Sequence, residues 1–303
     1  TLKHFFFIFK LENLSKSNGF FRVGPKGYLF PDGYIEEASD IYNLSLRSDD
    51  IWVTSYPKSG TTVTQELVWM LVNNFDYEKS KAVPLPASGI KSDIKFGAAS
   101  LWKLPSPRFI KSHLPLSLLP PALLDTCKVL HVARDPRDVA VSFYYHHKFF
   151  HKMEFHGDFK EFWSLFINDQ LIWSLFFENV KEAWEKHNHP NMLFLFYSEI
   201  VKDLPATVRR VADFLGKPVA EEQLGPLCEH LSIDSFKKNK SLNFDFLKDI
   251  QFIAKDRSFV RKGKSGGWRE HFDEEMTRQA ARWIEDQLKD SDFRFPTDSM
   301  FRD

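Results

Sequence analysis

The sequence predicts an α/β fold, a mostly parallel central sheet with helices on both faces. Three observations carry that expectation. Runs at 51–54, 129–133 and 191–197 are short and nearly continuous in apolar residues, as in strands covered on both sides. Stretches with three- and four-residue apolar spacing separate them, as crossover helices do in a parallel sheet. The first run leads into Tyr56-Pro57-Lys58-Ser59-Gly60-Thr61-Thr62 and then into a helical pattern. A strand feeding a helix through a small-residue turn is a P-loop-like place to hold a phosphate.

The bulk numbers fit one large domain. The chain has 303 residues, 43% of them hydrophobic, and no glycine- or serine-rich linker divides it. A single domain over 1–303 is expected. The formal charge is zero, which argues against broad affinity for nucleic acid. Two cysteines, Cys127 and Cys228, give no disulfide framework and fit a reducing, cytoplasmic compartment.

Near the start, Phe5-Phe6-Phe7-Ile8-Phe9 is too short to span a membrane and lacks a cleavage pattern after it. It reads as a strand or a docked arm, and no membrane contact is expected. Residues 19–32 read as loop and short strand, punctuated by Gly24-Pro25 and Gly27. Tyr34 to Ile41 suits a short helix. Pro57 should stop the 51–54 strand, because it cannot continue inside a central ladder. Thr62 to Asn73 has helical spacing, with Leu67, Met70 and Leu71 on one side. Residues 80–97 lack periodicity and read as a long loop with helical turns.

A further strand is expected at 107–113, ending in Lys111-Ser112-His113. After the 129–133 strand, Asp135 suits a helix cap and Pro136 the first turn. From Phe159 to Trp184 the apolar spacing predicts one long helix or two joined ones. Leu204 to Leu215 is a helix closed by Gly216. Residues 237–264 are polar, basic and aromatic by turns and read as a mobile lid. A final helix is expected from Glu274 to Leu288.

In an open parallel sheet, ligands bind beyond the carboxyl ends of the strands. Four expected strands end there in polar groups: Lys58 to Thr62, Lys111 to His113, Arg134 with Ser142, and Tyr197. Arg261-Lys262-Gly263 could fold over them. Arginine offers a fork to a phosphate and lysine a point charge, so the set reads as an anion site. A neutral imidazole at His113 could take a proton from an attacking hydroxyl, although spacing alone favours a packed histidine. His146, His147 and His151 stand at near-helical spacing, but no cysteine or clear carboxylate completes a metal set. They read better as solvated or substrate-lining residues. The turn lacks the Gly-x-x-x-x-Gly-Lys spelling of a triphosphate loop, which argues against an ATP kinase.

At these motifs the chain resembles the cytosolic sulfotransferases. The resemblance rests on Tyr56 to Thr62, Lys111-Ser112-His113-Leu114-Pro115, Arg134 to Ser142 and Arg261 to Trp268, in that order. It implies a sulfuryl donor, 3'-phosphoadenosine 5'-phosphosulfate (PAPS), a product, 3'-phosphoadenosine 5'-phosphate (PAP), and no metal. By the same resemblance Lys58 binds the 5'-phosphate and follows the leaving oxygen. Ser59, Gly60, Thr61 and Thr62 cradle that phosphate. His113 is the general base and Lys111 steadies the sulfuryl oxygens. Arg134, Ser142, Arg261, Lys262 and Gly263 hold the 3'-phosphate, and Tyr197 reaches the adenine side. The acceptor implied is a small hydrophobic alcohol or phenol, with Phe21, Phe96, Tyr145, Phe149 and Phe150 as candidate pocket aromatics.

Several positions depart from the family pattern. Its adenine-stacking Trp is Val63 here, its second adenine aromatic is Ile233, and a nearby Thr is Leu231. Phe236 is a candidate replacement ring. The family's C-terminal dimer motif is altered: Asp273-Glu274 stands where Thr-Val belongs, and Arg278 where Glu does. A homodimer of that kind is in doubt. Two other outcomes stay open, a sulfonation-activated dehydratase and a non-catalytic phosphoadenosine-binding protein.

Overall fold

The computed structural model describes residues 9–10, 19–82, 90–92, 101, 103–149, 155–239, 260 and 262–296. Its centre is a five-stranded parallel sheet, in the order β5-β6-β4-β7-β8. The strands are β4 (Ile51–Ser55), β5 (Ile90–Ser92), β6 (Phe109–Ser112), β7 (Lys128–Ala133) and β8 (Met192–Phe196). A separate antiparallel sheet joins β1 (Phe9–Lys10), β2 (Phe20–Val23) and β3 (Tyr28–Pro31) in sequence order.

Alternation along the central strands sends side chains to two cores. Trp52, Ile110, Val129, Ala133, Met192 and Phe194 face one, while Val53, Phe109, Leu130, Val132, Leu193 and Leu195 face the other. The second core is covered by the helices Thr61–Val72, Leu204–Leu215 and Glu221–His230. The first is covered by Asp32–Tyr42, Pro136–Phe149, Phe159–Ile167, Phe176–Trp184 and Glu274–Leu288. Two covered faces explain the unbroken apolar runs of these strands. One buried polar pair interrupts them: Thr54 Oγ1 and His131 Nδ1 lie 3.0 Å apart on adjacent strands.

Most elements match the sequence reading, and the final helix runs over the residues expected. The 159–184 stretch is two helices, Phe159–Ile167 and Phe176–Trp184. Between them Asp169 and Trp173 take positive φ, which ends the helical path with neither Gly nor Pro to announce it. Within 80–97, read as a loop, Ile90–Ser92 forms edge strand β5 and pairs with β6 in parallel. The 19–32 stretch is a hairpin, β2 and β3. Of the amino-terminal arm, Phe9 and Lys10 pair with β2, a strand as expected. Of the expected lid, 237–239 close the helix Ile233–Lys238 and its cap. Its remainder, apart from 260 and 262–264, lies outside the described residues.

Candidate active site

Strand β4 sits at the middle of the sheet, with β6 on one side and β7 on the other. The chain leaves β4 toward one edge and returns across it, so a crevice opens at the carboxyl ends where the winding changes direction. Lys58, His113, Arg134 and Tyr197 all follow directly on the strands that border it.

The phosphate turn is built by backbone conformation. Lys58 has φ of 68° and Gly60 of 113°, both left-handed, before the helix starts at Thr61. Gly60 is required twice over. Its φ suits glycine, and a Cβ there would lie 2.5 Å from Tyr197 Cδ2. Thr61 Oγ1 meets Ser55 Oγ at 2.6 Å, and Thr64 Oγ1 donates to the Gly60 carbonyl at 3.2 Å. Thr62 is half-buried beside them. Ser59 Oγ is fully buried with no hydrogen-bond partner among the described residues.

His113 stands at the end of β6. Its Nδ1 lies 2.8 Å from the Ser55 carbonyl, which makes Nδ1 the donor and places the ring's lone pair on Nε2. Burial, then neighbouring Lys111, push its pKa well below the ordinary histidine range. The Ser55 bond opposes this, and Lys58 adds to it. Asn179, on the helix Phe176–Trp184, donates to the His113 carbonyl at 3.3 Å. The Trp173 ring packs edge-on to the His113 ring at 5.5 Å.

Arg134 stacks over Tyr197, its guanidinium carbon 4.3 Å from the ring centroid. Its Nη1 donates to the Lys58 carbonyl and its Nη2 to the Lys264 carbonyl, both at 3.1 Å. Arg134 Nε is buried with no partner among the described residues. Ser142 lies two helical turns on and is half-buried. Asp135 accepts from the Arg137 N–H at 2.9 Å, the cap expected of it. Lys262 pairs with Glu270, as does Lys264 at 2.6 Å. Gly263 has φ of 61° and lies directly against the Ile233 side chain. Thus Ile233 and the loop that carries Gly263 meet. Leu231 is buried in the core, and Val63 is half-buried against the same core. Phe236 is buried there too, so it is chiefly a packing residue. Glu66 holds His230 at 2.7 Å, tying the helix after the phosphate turn to this segment.

The acceptor end is less complete. Phe21 pairs with Phe30 on the hairpin and is half-buried. Phe149 is buried in the core, and Tyr145 is exposed, its ring against Tyr144 and His271. Phe96, Phe150 and Arg261 lie outside the described residues, as does His151. The next residue after Tyr145, His146, has its pKa pushed well below the ordinary range by burial and then by Lys58, with His147, His113 and Lys111 adding to it. Those causes put it within electrostatic reach of the strand-end cluster. Trp173 and Asn179 were not singled out in the sequence. Only the positive-φ turn and the packing of its helix bring them to His113.

The residues fit a nucleotide carrying two separate phosphates. The turn offers the buried Ser59 hydroxyl, and the end of β7 offers the buried Arg134 Nε. Among the described residues, no group of three or more His, Cys, Asp or Glu is arranged to hold a metal. Fold and site define an α/β phosphate-turn protein built for group transfer from a nucleotide.

A sulfotransferase-domain family model matches residues 48–292. Human sulfotransferase 1E1 is 33% identical over 282 residues, 90% of this chain and 95% of that protein. A retinol dehydratase solved with retinol and PAP is 40% identical with a TM-score of 0.88, over 92% of this chain and 93% of that one. A retinol dehydratase solved with androsterone and PAP gives the same score and identity, over 92% of both chains. The chain belongs to the sulfotransferase-domain family. It is an enzyme of that kind, dependent on PAPS.

Proposed function

We propose that the chain moves a sulfuryl group from PAPS to the hydroxyl of a small hydrophobic acceptor of retinoid or steroid shape. The observation that carries this is the His113 arrangement: Nδ1 bound to the Ser55 carbonyl at 2.8 Å, the lone pair left on Nε2, beside Lys111. The donor supplies an activated sulfur–oxygen bond. His113 Nε2 takes the acceptor hydroxyl proton, which lets that oxygen attack sulfur. Lys111 steadies the sulfuryl oxygens, and Lys58 relieves the charge that grows on the departing 5'-phosphate oxygen. Ser59, Gly60, Thr61 and Thr62 hold the 5'-phosphate. Arg134, Ser142, Arg261, Lys262 and Gly263 hold the 3'-phosphate. Tyr197, Val63, Leu231 and Ile233 line the adenine side.

The acceptor class leans on the two retinol dehydratase structures, whose ligands are retinol and androsterone. No helix among the described residues is long and apolar enough to cross a membrane, and a cytoplasmic setting is part of this reading. Of the altered dimer motif, Asp273 caps the last helix and Arg278 lies 3.5 Å from Glu274, so we place no family dimer there. The 40% identity to retinol dehydratase favours a second outcome at the same site, in which the sulfate ester loses sulfate and a proton from carbon to give a further double bond.

Product analysis with labelled PAPS and retinol tests both. A labelled ester supports transfer alone. Free labelled sulfate with a dehydrated hydrocarbon supports elimination. No PAPS-dependent change in retinol or in a steroid alcohol counts against this acceptor class.

A further inference from the structure

A buried carboxylate sits inside this anion site. Asp138 is 2% exposed and sits in the first turn of the helix Pro136–Phe149, four residues after Arg134, which precedes that helix, and one turn before Ser142. A negative group between two residues proposed to hold a 3'-phosphate would repel that phosphate unless its own charge were taken up. Both its oxygens are engaged. Oδ2 accepts from Gly266 N–H at 2.7 Å and Oδ1 from Trp268 N–H at 2.9 Å. Arg134 Nη2 stands 3.9 Å from Oδ2 while donating to the Lys264 carbonyl. Charge-assisted bonds of this length to backbone N–H groups are among the stronger ones in proteins.

The partners matter more than the count. Gly266 and Trp268 belong to the loop that carries Lys262 and Gly263. Trp268 is itself clamped, with Arg137 over its ring at 4.0 Å and Arg269 at 4.7 Å. Gly266 takes φ of 76°, a turn that brings its N–H round to the carboxylate. The carboxylate therefore fastens the loop to the helix that follows Arg134 and carries Ser142. We infer that Asp138 is a positioning residue: it docks the 262–268 loop on the 3'-phosphate side and so sets the enzyme's preference for a 3'-phosphorylated nucleotide.

This rests on the donor reading given above. The test uses the full chain and two variants, Asp138→Asn and Asp138→Glu. The first keeps the shape but turns one acceptor into a donor facing an N–H. The second keeps the charge but displaces it by one methylene. Calorimetric affinities are measured for PAP and for adenosine 5'-phosphate, with hydrogen exchange at residues 262–268. The expected result is PAP binding weakened at least about tenfold in both variants, adenosine 5'-phosphate changed less than about threefold, and faster exchange in the loop. The donor KM should rise by more than kcat falls. Equal weakening of both nucleotides, or unchanged loop exchange, overturns the proposal. If the unmodified chain itself fails to prefer PAP, the donor reading fails and this inference goes with it; the unmodified control tells the two failures apart.

Discussion

Arg134 lies over the Tyr197 ring at 4.3 Å, and the same ring leaves no room for a side chain at Gly60. The phosphate turn, the strand end of β8 and the first cation after β7 are therefore packed as one unit. Gly60→Ala should disrupt it. The new methyl must push Tyr197 aside at a φ of 113°, a backbone strain of about 1–2 kcal/mol before any clash. PAP affinity should drop about tenfold or more, and a calorimetric titration with no change would show that the turn tolerates the methyl.

Replacing the base should separate chemistry from binding. His113→Ala should cut kcat by roughly 10²–10⁴, with PAP affinity nearly unaltered. Because burial and Lys111 keep His113 neutral, kcat/KM should hold level through pH 6.5 and fall only at lower pH. A fall centred on the ordinary histidine value would point to a different titrating group.

Acid should weaken the fold through its buried imidazoles. Burial holds His131 down at about 3 and His147 at about 4, with His113 and His146 also well below 6.5. Between those values and 6.5 the unfolded chain binds more protons, so stability is present above pH 6.5 and is lost as pH falls. At pH 5 His131 and His147 each cost about 2 kcal/mol, and His113 and His146 act in the same direction. Asp169, raised to about 6 by burial, works the other way by about 1 kcal/mol. Urea midpoints should drop steeply from pH 7 to pH 5, and His131→Asn, if it folds, should flatten that slope.

Val63 offers a gain-of-affinity test. It is half-buried on the third residue of the helix after the turn. A tryptophan there would add a stacking face worth roughly 1–3 kcal/mol. Val63→Trp should tighten PAP binding by about tenfold. Unchanged affinity would mean that the adenine does not lie beside this position.

The parts readable in the sequence are those fixed by local chemistry. The 51–62 strand and turn, the Asp135-Pro136 helix start and the Gly216 stop each depend on residues within a few positions. What stayed hidden depends on distant partners. Strand β5 is three residues long and counts as a strand only through β6. Trp173 reaches His113 because its own N–H pairs with the Leu29 carbonyl of the hairpin, a contact no spacing announces. Of the adjacent pair Tyr145 and His146, both expected near the acceptor, Tyr145 is exposed while His146 lies within electrostatic reach of Lys58 and His113. That difference is one residue of helical phase, about 100° of rotation.

The guanidinium of Arg134 bridges the carbonyls of Lys58 and Lys264, segments from opposite ends of the chain. The described walls of the crevice are thus joined by bonds within the fold itself. Preorganisation of this sort moves the loss of chain freedom from the encounter to the folding of the protein. Entry through these walls should then show a heat-capacity change set by the surface removed from water, with little added signature of coupled refolding.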